Sequence, residues 1–223
     1  MEEKVGGGGM ALTKEGIANA VRKAIELGKG RRFKQSVELI ITFKGFSPKA
    51  PEVKFRDTIF LPKGLGKPPK ILVIATGDTL LKARGAGIDA FSDGELKAMS
   101  RRELRKIAKS YDWVLVRSDL MASIGRVLGP ALGPRGKFPV PVPVSADIVS
   151  VVKRYMNTTR LRNKEQLWVG CRVGSEDMEP EDIVENILAV LEHVKGKIKR
   201  PLETSTKIYV KTSMGPPVEV FML

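Results

Sequence analysis

The sequence predicts an α/β protein of two domains: an α+β domain formed by both chain termini, with an α/β domain inserted into it. Three observations predict this. The pattern of the apolar residues changes twice along the chain, a glycine- and proline-rich stretch marks the first change, and the positive charge divides unevenly across the same boundaries. The 223 residues are 42% hydrophobic and 29% charged, which is the balance of a globular chain rather than a disordered one.

The first ten residues, with four consecutive glycines at 6–9, read as a flexible tail. They lack the basic and apolar regions of a secretory signal. Thr13 then caps a helix whose apolar positions Ile17, Ala20, Val21 and Ala24 recur at helical spacing, and Gly28 and Gly30 stop it. After the basic turn 29–34, residues 36–43 are partly alternating and β-branched and form a strand. A second strand runs from Val53 to Leu61. Residues 62–70, Pro-Lys-Gly-Leu-Gly-Lys-Pro-Pro-Lys, suit neither helix nor sheet and form a linker.

Beyond the linker the strands become short continuous apolar runs, 71–75 and 111–116, separated by helix-length segments. That pattern marks a parallel sheet buried on both faces. From about Thr159 the pattern of the first 66 residues returns: a strand over 166–173, a helix opened by Pro180, and strands over 206–212 and 218–221. The expected division is 1–66 plus 159–223 for the split domain and 67–158 for the insertion.

The chain carries a formal net charge of +14 and has a pI near 9.9. Residues 1–66 hold 13 basic and 7 acidic side chains, residues 67–158 hold 16 and 8, and residues 159–223 hold 10 of each. Such a surplus costs self-repulsion unless a polyanion neutralises it, which makes nucleic acid the leading partner class. The single cysteine, Cys171, excludes an internal disulfide, and the single histidine, His193, leaves no Cys/His cluster for zinc. No apolar run approaches the ~20 residues of a membrane span.

Catalytic motifs are poorly supported. Residues 131–138, Ala-Leu-Gly-Pro-Arg-Gly-Lys-Phe, resemble a phosphate-binding loop, but Ala131 replaces its first glycine and Phe138 its hydroxyl residue. A stiff surface loop is the simpler reading, with Arg135 and Lys137 still able to touch an anion. His193 should lie exposed or half-exposed at the flank of a helix face made by Ile183, Ile187, Leu188, Leu191 and Val194. The acids Glu176, Asp177, Glu179, Glu181 and Asp182 suit a helix N-terminus and form no calcium loop. Lys195, Lys197, Lys199 and Arg200 suit the helix C-terminus or an RNA backbone.

Two segments point more directly to RNA. Arg31-Arg32-Phe33-Lys34-Gln35 sets one aromatic among cations before a strand. Thr212-Ser213-Met214-Gly215-Pro216 joins two strands with hydroxyls, a flexible apolar side chain and a glycine. Hydroxyls bond ribose 2′-OH groups, glycine permits close backbone approach, and Phe or Met covers a ribose or base. Closure of the split domain would bring both onto one basic face.

At these residues the sequence resembles the archaeal form of the ribosomal protein L-one family, the stalk protein of the large ribosomal subunit. The resemblance lies in Arg32-Phe33-Lys34-Gln35-Ser36-Val37-Glu38, in 61–67, in 128–139 and in Tyr209 to Pro216, which occur in the family's order. It implies a first domain built from both termini and carrying the main RNA site, and a Rossmann-like inserted domain joined through two hinge strands at Gly64, Gly66, Thr158 and Thr159. It places RNA contacts on Phe33, Lys34, Glu38, Thr212, Ser213, Met214 and Gly215; Ser213 stands where the family usually has threonine. Glu38, a carboxylate that repels phosphate, would select 2′-OH or base N–H donors. The implied partners are the rRNA stalk, tRNA at the exit site and the protein's own message, whose translation many members repress. The implied protein is a cytoplasmic, ribosome-bound chain that is monomeric when free, with no enzymatic activity and no cofactor. Two rival readings remain, a nucleotide-dependent enzyme using the 131–138 loop and a basic DNA-coating protein.

Overall fold

A computed structural model describes residues 13–220. The expected N-terminal tail and Phe221 of the last expected strand lie outside the described residues. The chain folds as two compact units, Met1–Lys67 with Asn157–Leu223, and Pro68–Met156.

In the first unit, helix α1 (Lys14–Gly28) starts at Thr13, whose hydroxyl accepts from Gly16 N at 3.1 Å. Strand β1 (Ser36–Phe43) turns Val37, Leu39, Ile41 and Phe43 inward at period two. Strand β2 covers Arg56–Phe60, shorter than the expected 53–61 because Pro51 opens a 3-10 turn over Pro51–Val53.

The second unit contains β3 (Ile71–Ile74), α2 (Asp78–Gly85), β4 (Ala90–Phe91), α3 (Asp93–Ala98), α4 (Arg101–Ser110), β5 (Trp113–Arg117), α5 (Met121–Leu132), β6 (Pro139–Val142) and α6 (Ile148–Met156). Its sheet runs β4-β3-β5-β6, parallel throughout. Ile71, Val73, Trp113 and Leu115 pack on one side with Ala83, Ile148 and Val152. Leu72, Ile74, Val114 and Val116 pack on the other with Leu96, Leu104, Ile124 and Leu128. Both faces are covered, which is why these strands show no alternation.

The segment 131–138, expected as a loop, closes α5 at Leu132 and continues through a 3-10 turn over Gly133–Arg135, and its lysine turns inward. Lys137 Nζ donates to Ala108 O at 3.0 Å and Tyr111 O at 2.5 Å, holding carbonyls left open where α4 ends. Lys137, which the sequence leaves able to touch an anion, instead makes a helix-capping contact within the protein. Lys137→Ala should lower the stability of this unit by about 2 kcal/mol, since hydrogen bonds to a charged group are lost from partly buried carbonyls. Thermal melting checks this, and the variant's RNA affinity should stay unchanged.

The chain returns to the first unit with β7 (Thr158–Arg162), a strand that the apolar pattern does not predict, and β8 (Trp168–Ser175). The expected strand 166–173 starts late because Gln166 O accepts from Asn163 Nδ2 at 3.1 Å within a turn. Helix α7 (Pro180–Ile198), the short α8 (Leu202–Ser205), β9 (Thr206–Thr212) and β10 (Val218–Glu219) complete the unit. Its main sheet has the order β10-β9-β1-β8, antiparallel throughout, and β2 pairs with β7 in a separate ribbon. Helices α1 and α7 cover one face of the main sheet, burying Ile17, Val21, Ile187, Val190 and Val194 against the inward residues of β1. Its other face is largely polar, with Glu38, Thr42, Arg172, Lys207, Tyr209 and Lys211 partly exposed beside Ile40 and an exposed Trp168.

The C-terminal charges of α7 serve the fold. Lys197 Nζ bonds Asp57 Oδ2 at 2.8 Å and stands over the Phe55 ring, and half-exposed His193 meets the same carboxylate at 3.2 Å. Burial pushes the Asp57 carboxyl up, but the bonds from Lys197 and His193 outweigh it and hold the group below the usual carboxylate range.

Candidate nucleic-acid interface

The two RNA-directed segments meet at the end of β1 that follows the basic turn. Their junction is organised by Gln35, to which neither composition nor the family resemblance assigns a role. Its side chain is buried, with 1% exposure. Nε2 donates to Gly28 O at 2.6 Å and to Glu176 Oε2 at 3.1 Å, while Oε1 accepts from Met214 N at 3.0 Å. Glu176 Oε1 also accepts from Gln35 N at 2.9 Å. One amide therefore ties the end of α1, the loop after β8 and the β9–β10 turn together. A signal for it exists in the sequence: the inward period of β1, 37-39-41-43, extended back by two lands on residue 35, where a polar side chain needs partners.

Beside it, the backbones of Gly28 and Gly215 pack against the side chain of Thr212. A Cβ on Gly28 would lie 2.2 Å from Thr212 Oγ1, and one on Gly215 would lie 2.3 Å from the same atom and 3.3 Å from Gly28 Cα. The side of Gly215 on which a Cβ would stand thus faces Thr212, and the residue itself is half-exposed. Thr212 is fully buried, and Oγ1 has no hydrogen-bond partner among the described residues. Its hydroxyl lies against the two glycines.

Tight packing underneath leaves the apolar side chains outside. Met214 is 58% exposed and Phe33 53% exposed. Ser213 N donates to Ser36 O at 3.0 Å, and its hydroxyl accepts from Ser36 N at 3.2 Å, so the turn is stitched onto β1 by both groups. Lys34 forms an ion pair with Asp177. Arg31 and Arg32 are exposed. Glu38 lies on the polar face, in register with Arg172 of β8 on one side and Lys211 of β9 on the other. The arrangement is a floor carrying two exposed apolar side chains, rimmed by cations, with Asp177 paired to Lys34 and Glu38 set between Arg172 and Lys211.

The residues expected at the hinge lie in the first unit, and the loop bearing the glycines is held firmly. Gly64 and Gly66 adopt φ of +68° and +72°, which side chains rarely accept. Buried Asn186 of α7 accepts from Lys63 N at 3.0 Å and donates to Gly64 O at 2.7 Å, and Arg172 Nη2 donates to Leu65 O at 2.8 Å. Thr158 and Thr159 are buried in the ribbon opposite Phe60 and Ile59.

Residues 21–216, which span both RNA-directed segments and everything between them, match the model of the ribosomal protein L1p/L10e family. The chain belongs to that family. It is 51% identical over 209 residues to the large ribosomal subunit protein uL1 of Staphylothermus marinus, covering 93% of this chain and 97% of the relative. It is 46% identical over 206 residues to the uL1 protein of Aeropyrum pernix, covering 92% and 94%. The uL1 protein of Hyperthermus butylicus is 42% identical over 211 residues, covering 94% and 97%. A family of ribosomal proteins is structural rather than enzymatic, so the Lys137 capping contact and the family agree in removing the nucleotide-enzyme reading. Among the described residues there is also no cluster of His, Cys, Asp or Glu suited to a metal ion.

Proposed function

We propose that this chain is a constituent of the large ribosomal subunit that binds the stalk region of large-subunit rRNA through the Phe33–Met214 face, near exiting tRNA. It acts on the ribosome in the cytoplasm. The observation that carries the reading is the Gln35 junction, which spends a buried hydrogen-bond network on holding two apolar side chains in solvent beside exposed cations. A solvent-exposed aromatic and methionine on a rigid floor suit ribose and base faces. In this reading Met214, Phe33, Ser213 and Glu38 touch RNA, Lys34 shares its charge between Asp177 and phosphate, and Thr212 and Gly215 act by shaping the turn. Binding of a matching fold in the protein's own message, with repression of its translation, follows if that message presents the same shape. The chain hinges at its two crossings between units, beside Gly64, Gly66, Thr158 and Thr159, and is a monomer when free.

Titration with a stalk rRNA fragment, an unrelated RNA hairpin, duplex DNA and ATP separates this reading from its rivals. Tight binding of the first alone is expected. Glu38→Gln sharpens the test. Removing a negative charge favours every polyanion, so affinity for the unrelated hairpin should rise slightly. Affinity for the stalk fragment should fall roughly tenfold, because a charged acceptor bonds ribose or base N–H donors more strongly than an amide does. A parallel rise for both RNAs would mark Glu38 as an ordinary solvated strand residue.

A further inference from the structure

The β2–β7 ribbon has two unlike faces. Its inner face carries Asp57, Ile59 and Leu161 toward α7 and the core. Its outer face carries Arg56, Thr58 and Phe60 of β2, with Arg162 and Arg160 standing opposite Arg56 and Thr58 in register. Phe60 is 48% exposed, although nothing in the core requires an aromatic ring there. Lys54 and Lys164 flank the Arg56–Arg162 pair around a hollow of about 560 Å³ whose lining includes one carboxylate, Glu165. Neither Lys54 nor Arg56 forms an ion pair among the described residues.

Two arginines directly opposite on neighbouring strands repel one another and weaken the pair. Here the turn beside them is fixed regardless: buried Asn163 accepts from Phe55 N at 2.9 Å and donates to Val53 O at 2.7 Å and Gln166 O at 3.1 Å. The fixed turn keeps Arg56 and Arg162 in register across the ribbon. The cations that line the hollow favour an anion there.

We propose that this outer face is a second RNA-contacting surface, with Arg56 and Arg162 clasping backbone phosphate, Thr58 bonding a ribose hydroxyl and Phe60 covering an unstacked base. The proposal rests on the RNA-binding reading of the Phe33–Met214 face and extends it. Residues 56, 58 and 60 follow one another at about 7 Å along the strand, comparable to the step between nucleotides of an extended strand. Aromatic, hydroxyl and guanidinium groups in one row match the chemistry of an exposed RNA strand better than that of an acidic peptide, which has no base to cover. The Lys54–Arg56 end neighbours the far end of β1, where Phe55 stacks on Phe43 at 5.5 Å. Eight-residue β1 therefore sets the Lys54–Arg56 end about 25 Å from the first surface, so an RNA that meets both runs along the unit.

The lone native cysteine makes a direct test possible. Cys171 is buried and its thiol is pushed up to about 12, so a thiol reagent spares it. Full-length Thr58→Cys carrying a tethered iron chelate, bound to the stalk rRNA fragment, should cut a discrete run of nucleotides when hydroxyl radicals are generated. Arg56→Ala should weaken binding roughly fivefold and reduce the salt slope by about 0.7–0.9, the loss of one phosphate contact. Phe60→Ala should weaken binding roughly tenfold, the loss of one stacked base. Uncut RNA, or variants that bind as tightly as the unsubstituted chain with the same salt slope, overturns the second surface while leaving the first intact. An unsubstituted chain that does not bind the fragment overturns the reading of the Phe33–Met214 face, and this proposal with it.

Discussion

Gln35→Leu should lower the stability of the unit formed by both termini by about 3 kcal/mol and abolish most of the affinity for stalk RNA. Leucine fills the space but leaves Gly28 O, Met214 N and one Glu176 oxygen without their partner, and each buried polar group left unpaired costs about 1–3 kcal/mol. Urea unfolding with an unchanged slope would show a loss of stability rather than of cooperativity. Gln35→Glu gives a complementary result with a definite sign. Its carboxyl would stand within hydrogen-bond reach of Glu176, and two carboxylates so placed cannot both ionise, so one is raised above its unfolded value. That variant should be most stable below the ordinary carboxylate range and lose stability as pH rises through the raised value. Equal stability at pH 4.5 and pH 7.5, relative to the unsubstituted chain, would contradict the geometry.

Gly215→Val should cost about 2–4 kcal/mol and take RNA binding with it, because its side chain would occupy the place of Thr212 Oγ1 and crowd the end of α1. The loss comes from displacement of the turn that carries Met214. A double-mutant cycle checks this cause. Gly215→Ala alone collides with the hydroxyl 2.3 Å away, whereas in a Thr212→Ala background the nearest remaining atom is Gly28 Cα at 3.3 Å. The pair should therefore be more stable than the sum of the single changes by roughly 1 kcal/mol or more. Strict additivity would mean that the three residues do not share one contact.

Much of this architecture is legible in the sequence because it is local. Helix α1 is marked by Thr13 and its four apolar positions, β1 and β9 by β-branched alternation, and the doubly covered parallel sheet by the unbroken run at 71–74. Strand β7 escapes the apolar pattern because Thr158–Arg162, rich in threonine and arginine, has only Leu161 as an apolar member; its pairing with β2 stabilises it. The late start of β8 is set by Asn163, whose side chain bonds a distant segment. At the site, Phe33 and Met214 are legible by residue type. The closeness of the two segments rests on a contact across 179 residues, between Gln35 and Met214, and on glycines whose missing Cβ faces threonine inside the protein. Residue type alone suggests that Thr212 and Gly215 face RNA; Thr212 is buried, whereas Gly215 is half-exposed and lacks room only on the side where a Cβ would stand.

In the proposed function, a methionine exposed on a rigid floor meets stalk RNA directly. Met214→Ala tests it with least ambiguity, since the side chain is 58% exposed and the residue's bond to Gln35 is made by its backbone. Calorimetric titration of the variant with the stalk rRNA fragment, beside a thermal melt, should show an unchanged melting temperature and affinity reduced roughly tenfold, the equivalent of losing one apolar contact with a ribose or base. Unchanged affinity in the folded variant would contradict the account and move the RNA site away from this face.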